Sequence, residues 1–390
     1  MTKKIYLEPA WKMHSFYQGM IAHPPPGYEF VTLRSLQESI FKAVSKINLS
    51  YSLFLNGIDK IVPVNLAKAY LERFRKIPQD VDLTYSFDHL VFRKEPWVVD
   101  LEFVSLLVSY NVKQFRKYRG VVEKALASEH CRKIICATEA AKKTVLLNLD
   151  CSEFDYKLET VPFAVPKKDF TKRFTNDKVK LLFVGSANII GQFEIKGGIE
   201  ALEAFILLSR KYDNLELVVR SDVPRSIKGE YRDSGNIRII DERIPWGMLE
   251  QEFQSADIFL LPVHNTPFSV FLDAMSYELP IVTVDSWANP EIVEDGKTGL
   301  VAKKSGKIPY YVENSIPSFG TPQFKKATRT PDPKVVQGLV EKASILIENE
   351  ELRKRMGKAG RWEVEHGRFS IERRNEKLKR IFDEATTGRA

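Results

Sequence analysis

Four residue groups in the second half of the chain have the types and spacing to hold an anion and a polyol. The first is Lys196-Gly197-Gly198, where a strand-like run gives way to a helical one. A cation at the start of a helix meets an anion that also feels the helix N-terminus. Gly185 closes the preceding run, Val179–Gly185, and lets the chain turn, with Ser186 next. The second is the loop His264–Ser269. Pro267 suits a first helical turn, and Asn265 or Thr266 can cap it. The amides of Phe268, Ser269 and Val270 then offer a phosphate site. The third is Asp273 in the apolar run FSVFLDAM. A carboxylate there needs donors, and vicinal ribose hydroxyls supply two. The fourth is Glu291 in the turn Ala288–Val301, placed to accept from a sugar or ribose. Bland readings stand beside these: an ordinary loop with a surface lysine, an Asp capping a neighbouring loop, a surface acid.

The elements that must position these residues are legible. Val179–Gly185, Leu215–Arg220, Asn236–Asp241, Asp257–Val263 and Pro280–Asp285 are near-continuous apolar runs. Helical periodicity fills Gly198–Tyr212, Met248–Ala256 and Phe268–Glu278 between them. That alternation predicts a parallel sheet covered on both faces, with ligands at the carboxyl ends of its strands. The first half is less regular but also reads as α/β. Val81–Phe87, Pro96–Phe103, Arg132–Thr138 and Tyr156–Val165 are strand candidates, and YLERFRKI is helical. The charged run Lys167–Lys178 reads as a linker, Ser305–Pro333 as an irregular surface insertion, and the tail from Asp332 as amphipathic helices.

Length and composition set outer bounds. The chain has 390 residues, enough for two domains, with 44% hydrophobic and 28% charged residues, as in a soluble globular protein. No apolar run approaches a membrane span and the start has no signal core, so the expected location is cytoplasmic. Cys131, Cys136 and Cys151 match no metal-ligand spacing and read as reduced thiols. No acidic metal motif is evident. Net charge is +8, and Lys113–Lys124 interleaves cations with Phe115 and Tyr118. That cluster is read either as a solvated helix face or as peripheral contact with anionic membrane at its inner face; nucleic acid is not expected as a partner.

Taken together, the motifs from Val179 to about Ala302 resemble the donor-binding domain of retaining GT-B glycosyltransferases of the family-four, or glycosyl transferase group 1, type. The resemblance rests on VG at Val184-Gly185, KGG at Lys196–Gly198 and ADIFLLP at Ala256–Pro262. It continues through DAMSYELPIV at Asp273–Val282 and EIVEDGKTGL at Glu291–Leu300, and the tail Glu351–Arg374 is similar too. It implies two Rossmann-like α/β/α domains facing across a cleft: residues 1–166 for the acceptor, 167–365 for the donor, and a helix over 366–390 returning to the first. It implies transfer of a hexosyl-type sugar from a nucleotide diphosphate sugar to a glycan, lipid-linked or small-molecule acceptor, with retention and without metal or other cofactor.

In that scheme Lys196 and the Phe268–Val270 amides hold the diphosphate and Asp273 the ribose. Trp246, in RIPWGML, flanks the base or else belongs to the core. Three positions depart from the pattern. Ser186 stands where the family has Arg, with Arg220 at the next strand's end in compensation. Asn265 stands where the family has the acid facing the reacting sugar. Within PWVVDLEF, Glu102 stands where the family often has His, with Asp100 near. Glu102 and His23, the latter in the loop GMIAHPPPGYEF, are the candidate acceptor-side groups, with a surface-loop reading for His23 equally open. Ser186 and Asn265 also motivate a rival, a GT-B-like protein that binds a nucleotide or sugar without catalysis. A nucleotide-sugar epimerase or sugar phosphorylase on the same scaffold is a further rival. The lack of a strand-GxGxxG-helix unit argues against a dehydrogenase.

Overall fold

The computed structural model describes residues 2–8, 15–32, 63–109, 111–172, 178–186, 191–231 and 235–387. Two compact units divide the chain. The first takes Met1–Phe163, Tyr311–Pro317 and Ile371–Ala390; the second takes Ala164–Tyr310 and Ser318–Ser370.

The first unit is built on six parallel strands: β1 (Lys3–Glu8), β2 (Tyr28–Val31), β3 (Leu83–Phe87), β4 (Trp97–Leu101), β5 (Cys131–Cys136) and β6 (Leu158–Thr160), in the order β2-β1-β3-β4-β5-β6. Its helices are α1 (Ser15–Ala22), α2 (Val64–Glu72), α3 (Val112–Ala127) and α4 (Glu139–Asn148). Central strands β3 and β4 are buried throughout; apolar residues dominate them, and Thr84, Ser86 and Asp100 are their buried polar positions. One core lies under α3 and α4, around Trp97, Val99, Phe115 and Ile134. The other takes Leu378, Ile381 and Phe382 from the C-terminal helix, Ile371–Thr387, against Ile5, Leu83 and Tyr85. The first two strands escape a sequence reading because KKIYLE and YEFV are short and mixed in polarity. The helix expected through YLERFRKI stops at Glu72, with Arg73 as its cap.

The second unit also has six parallel strands: β7 (Val179–Val184), β8 (Leu215–Arg220), β9 (Ile237–Ile240), β10 (Ile258–Leu260), β11 (Ile281–Val284) and β12 (Gly299–Ala302). Between them run α5 (Gly198–Ser209), α6 (Arg225–Glu230), α7 (Trp246–Ser255), α8 (Phe268–Ser276) and α9 (Asn289–Ile292). The strand order is β12-β11-β10-β7-β8-β9. The connections therefore reverse direction between β7 and β10, and an open α/β sheet takes ligands at the carboxyl side of such a switch point. Phe183, Phe205, Phe253, Phe259, Phe271 and Tyr277 fill the core. Further helices, α10 (Pro322–Ala327), α11 (Pro333–Glu348) and α12 (Glu350–Glu365), complete the unit.

Two expectations change. The described part of the Lys167–Lys178 run packs onto the second unit. Phe170 lies 5.1 Å from the Tyr277 ring, and Arg361 donates to the carbonyls of Phe170 and Lys168 at 3.1 Å. The Ser305–Pro333 insertion is not a loose surface loop. Ile308, Tyr310 and Phe324 form a small core with Ile195, because the segment alternates aromatic residues with its prolines.

Candidate functional site

The loop leaving β7 is held by its glycines. A Cβ on Gly185 would lie 2.3 Å from Ser221 Oγ, so only glycine fits there. The Ser186 carbonyl accepts from Asp222 N at 3.0 Å. Residues 187–190 of this expected anion loop lie outside the described ones. Beyond them the chain coils tightly: Lys196 N donates to Gln192 O, Gly197 N to Glu194 O and Gly198 N to Phe193 O. Gly197 has φ +74°, and its Cβ would meet Pro262 O at 2.2 Å. A Cβ on Gly198 would strike the Phe193 ring at 2.2 Å. The Lys-Gly-Gly run thus presses against the end of β10, across the switch point, and carries the Lys196 side chain with it.

There Lys196 Nζ donates to Asn265 Oδ1 at 3.1 Å. Asn265 and Thr266 do not cap α8 as expected. Asn265 is turned to Lys196, and Thr266 Oγ1 accepts from Ala288 N at 3.2 Å. The N-cap is Pro267, and no side chain caps the helix, whose first turn is the half-buried Phe268, Ser269 and Val270. Its amides and the Lys196 ammonium are the groups an anion would meet. Arg220, at the end of β8, adds a second cation. It is buried, its Nη1 lies 3.4 Å from Gly185 O, and its Nε has no partner. Burial and then Arg243 lower its pKa.

Asp273 sits on the second turn of α8, half-buried. Burial pushes its carboxyl up to about 7; Lys168 opposes the shift and Glu250 adds to it. Lys168 Nζ lies 5.0 Å from the Trp246 ring and 5.7 Å from the Tyr277 ring, so the same cation serves the acid and the aromatics beside it. Trp246 begins α7 and is 46% exposed, which settles it as a surface aromatic and not a core one. Glu291 lies in the single turn α9, beyond the carboxyl end of β11, and is half-buried.

Sequence reasoning passed over three residues directly behind this loop. Glu200 and His264 are fully buried and Tyr310 nearly so. His264 Nε2 lies 3.1 Å from Glu200 Oε1, and Nδ1 lies 3.0 Å from Tyr310 Oη. An Nε2–H donating to the carboxylate leaves Nδ1 to accept from the phenol. His264 N also donates to Ile195 O at 3.0 Å. The network ties the residue before Asn265 to the helix that follows Lys196. An imidazole beside a proline-ended strand was the available signal; its partners, 64 and 46 residues away, had none.

In the first unit, Glu102 is exposed just past β4, and its amide donates to Asp88 Oδ1 at 3.1 Å. Burial and the charge of Glu102 hold the Asp88 carboxyl well above its usual range. Asp100 accepts from Tyr85 Oη at 2.8 Å and is pushed by burial up to about 7. These acids occupy the carboxyl edge of the sheet. His23 does not join them. It lies between α1 and β2, at the amino edge where Lys3 N donates to Gly27 O, and its carbonyl accepts from Arg374 and Asn375. A loop that returns the chain to the start of a parallel strand must lie on that edge. The Lys113–Lys124 run is the outer face of α3. Phe115 is buried in the core and Tyr118 packs half-buried against it, with Lys117 Nζ 5.2 Å from the Tyr118 ring. Among the described residues, no group of three His, Cys, Asp or Glu is arranged to hold a metal ion, and no helix is long and apolar enough to cross a membrane.

Two six-stranded parallel sheets with this order and this helix packing define the GT-B fold, as comparison with solved structures shows. HepE from Anabaena in complex with UDP-glucose superposes with a TM-score of 0.57 at 10% identity, covering 98% of this chain and 100% of that one. A glycosyltransferase from Rickettsia africae gives 0.59 at 12%, covering 98% of each chain. TarM from S. aureus, in complex with UDP among other ligands, gives 0.55 at 14%, covering 80% of this chain and 57% of that one. Residues 178–309 match the family model "Glycosyl transferases group 1". No curated protein matches the chain in sequence.

Proposed function

We propose that this protein transfers a hexosyl-type sugar from a nucleotide diphosphate sugar to an acceptor hydroxyl, with retention of anomeric configuration and without a metal ion. The carrying observation is the Lys196–Asn265 pair beside the uncapped start of α8, at the switch point of the second sheet. Charge grows on the diphosphate as the sugar leaves. Lys196, Arg220 and the amides of Phe268–Val270 are fixed donors of the kind that stabilise such charge. Asn265 is neutral, so it orients the ammonium without cancelling its charge, as a carboxylate would. Asp273 accepts from the ribose hydroxyls and Trp246 flanks the base. The acceptor oxygen attacks the anomeric carbon on the face the phosphate leaves, and its proton passes to the departing phosphate oxygen. Glu102 is the acceptor-side residue of this reading, and Glu291 holds sugar or ribose hydroxyls.

UDP is the first nucleotide to test, since solved structures of both HepE and TarM hold it. The experiment is a thermal-shift panel of UDP, GDP, ADP and TDP with their sugar conjugates, followed by turnover with and without EDTA. A ligand at about a hundred times its Kd adds roughly 2.7 kcal/mol. A shift with one nucleotide, and EDTA-insensitive release of it that depends on acceptor, is the expected result. No shift with any nucleotide would defeat the reading. A shift without acceptor-dependent release from glycan, lipid-linked and small-molecule acceptors would favour the second reading, a binding protein, which Ser186 and Asn265 motivate.

A further inference from the structure

We propose that the first unit docks on an anionic lipid surface through the carboxyl end of α2. Helix α2 buries Leu66 and Ala69, and its other side faces out. Leu71 is 73% exposed, Tyr70 41%, and Phe74, just past the helix, 74%. Three large apolar side chains within five positions form a patch, extended by Phe92, on which Tyr70 stacks at 4.2 Å. Scattered exposed apolar residues need no explanation, but a contiguous group marks an interaction surface.

Charge identifies the partner. Arg73, Lys76 and Lys94 are exposed around the patch, and the Arg73 guanidinium lies 4.4 Å from the Phe74 ring. Arg73, Phe74, Arg75, Ile77, Phe92 and Lys94 line a groove of about 430 Å³. Among the described residues, the nearby acids are already neutralised: Glu8 and Glu95 both pair with Arg93, and Glu72 lies 3.6 Å from Lys68 and 3.8 Å from Arg75. What faces outward is therefore apolar and cationic together. A bilayer surface with anionic headgroups complements both, because cations gain from the negative surface potential and apolar side chains from the acyl boundary. Helix α3 offers cations alone. The patch lies on the ligand edge of the sheet, since Arg93 bridges Glu8, the last residue of β1, to the Glu72 carbonyl at 3.3 Å.

The test is vesicle co-sedimentation of the full chain, with phosphatidylcholine alone and with one-third phosphatidylglycerol, at low and high salt. Binding only to the mixed vesicles is expected, weakened by salt. Joint Leu71→Ser and Phe74→Ser should lower partitioning at least about tenfold. Joint Arg73→Gln, Lys76→Gln and Lys94→Gln should lower it roughly a hundredfold. Lys113→Gln, Lys117→Gln and Lys124→Gln together should change it less than about twofold, because α3 has no large apolar side chain exposed beside those cations. No binding at low salt, unchanged binding of the Leu71–Phe74 variant, or an equal loss from the α3 variant would overturn the proposal. Self-association in sedimentation velocity, abolished by the Leu71–Phe74 variant and unaccompanied by vesicle binding, would instead assign the patch to a second copy of this chain. Vesicle binding requires no sugar transfer, so its failure leaves the transferase reading standing.

Discussion

Lys196 and Asp273 make different demands on their surroundings. Lys196 donates to a neutral amide, Asn265 Oδ1, and in the proposed reaction it faces the leaving group. Removing one fixed donor of developing charge typically costs about 3 kcal/mol of barrier. Lys196→Ala should accordingly lose at least about a hundredfold in kcat, measured as acceptor-dependent nucleotide release. A near-wild-type kcat would remove Lys196 from the site. Asp273 is held protonated by burial up to about pH 7, against 3.8 for the unperturbed group. Between those values the folded chain keeps a proton that the unfolded chain has lost. This group's contribution to stability therefore falls as pH rises from about 4 to 7, then levels off. If Asp273 holds the ribose as proposed, the ribose hydroxyls reverse the balance, because they donate to the ionised form and pull its pKa down. Nucleotide affinity should then rise with pH up to about 7, with proton release on binding below it. Calorimetry in buffers of different ionisation enthalpy reads both effects. In Asp273→Asn the Asp273-linked proton release should vanish and the affinity profile flatten.

At the scale of elements, the insertion around Tyr310 has more to do than its sequence suggests. It supplies a hydroxyl to His264 Nδ1 and an apolar wall to Ile195, so it braces the two loops that bring Asn265 to Lys196. Tyr310→Phe keeps the wall and removes the hydroxyl. A buried nitrogen left without its partner costs about 1–3 kcal/mol. The midpoint of the second unit should fall by roughly 2–4 °C per kcal/mol, and kcat should fall with it. Affinity for the nucleoside should hold, since Asp273 and Trp246 stand on other elements. The contrast also shows what a sequence displays. Strands β7, β8, β10 and β11 were legible because strands buried on both faces must be continuously apolar. Lys196, Gly197 and Asp273 were legible because local backbone geometry or an acid on an apolar face demands explanation at one point in the chain. Glu200, His264 and Tyr310 were not, because each is ordinary where it stands and meets the others only through tertiary packing. The capping role given to Thr266 failed for a similar reason: Ala288 N, 22 residues on, takes its hydroxyl. His23 looked placed by its prolines, but the direction of a parallel strand decides the edge on which its entry loop lies.

The chain does not divide between its units in sequence order. It returns to the first unit at Tyr311–Pro317 and again at Ile371–Ala390. The first unit therefore has no complete core until its last residues have been added. Phe382 is the centre of that late contribution, fully buried, with ring centroids 5.2 Å from Tyr28, 6.2 Å from Phe30 and 5.9 Å from Tyr85. Polar ties are concentrated along the same helix: Arg380 donates to both Glu159 oxygens at 2.9 Å, and Lys133 Nζ reaches Glu384 at 2.6 Å. The Arg380–Glu159 pair, half in solvent, contributes little compared with the aromatic burial. Truncating a buried Phe to Ala costs about 3–5 kcal/mol, a large share of the stability of a single domain. Phe382→Ala should lower the unfolding midpoint of the first unit, by roughly 2–4 °C for each kcal/mol lost. The second unit owes Phe382 none of its core, so the rise in its own midpoint with a bound nucleotide should be unchanged. Calorimetry with and without nucleotide resolves the two. A Phe382→Ala variant that lost the nucleotide-induced rise together with the first unit's stability would show instead that the donor site depends on the first unit being folded.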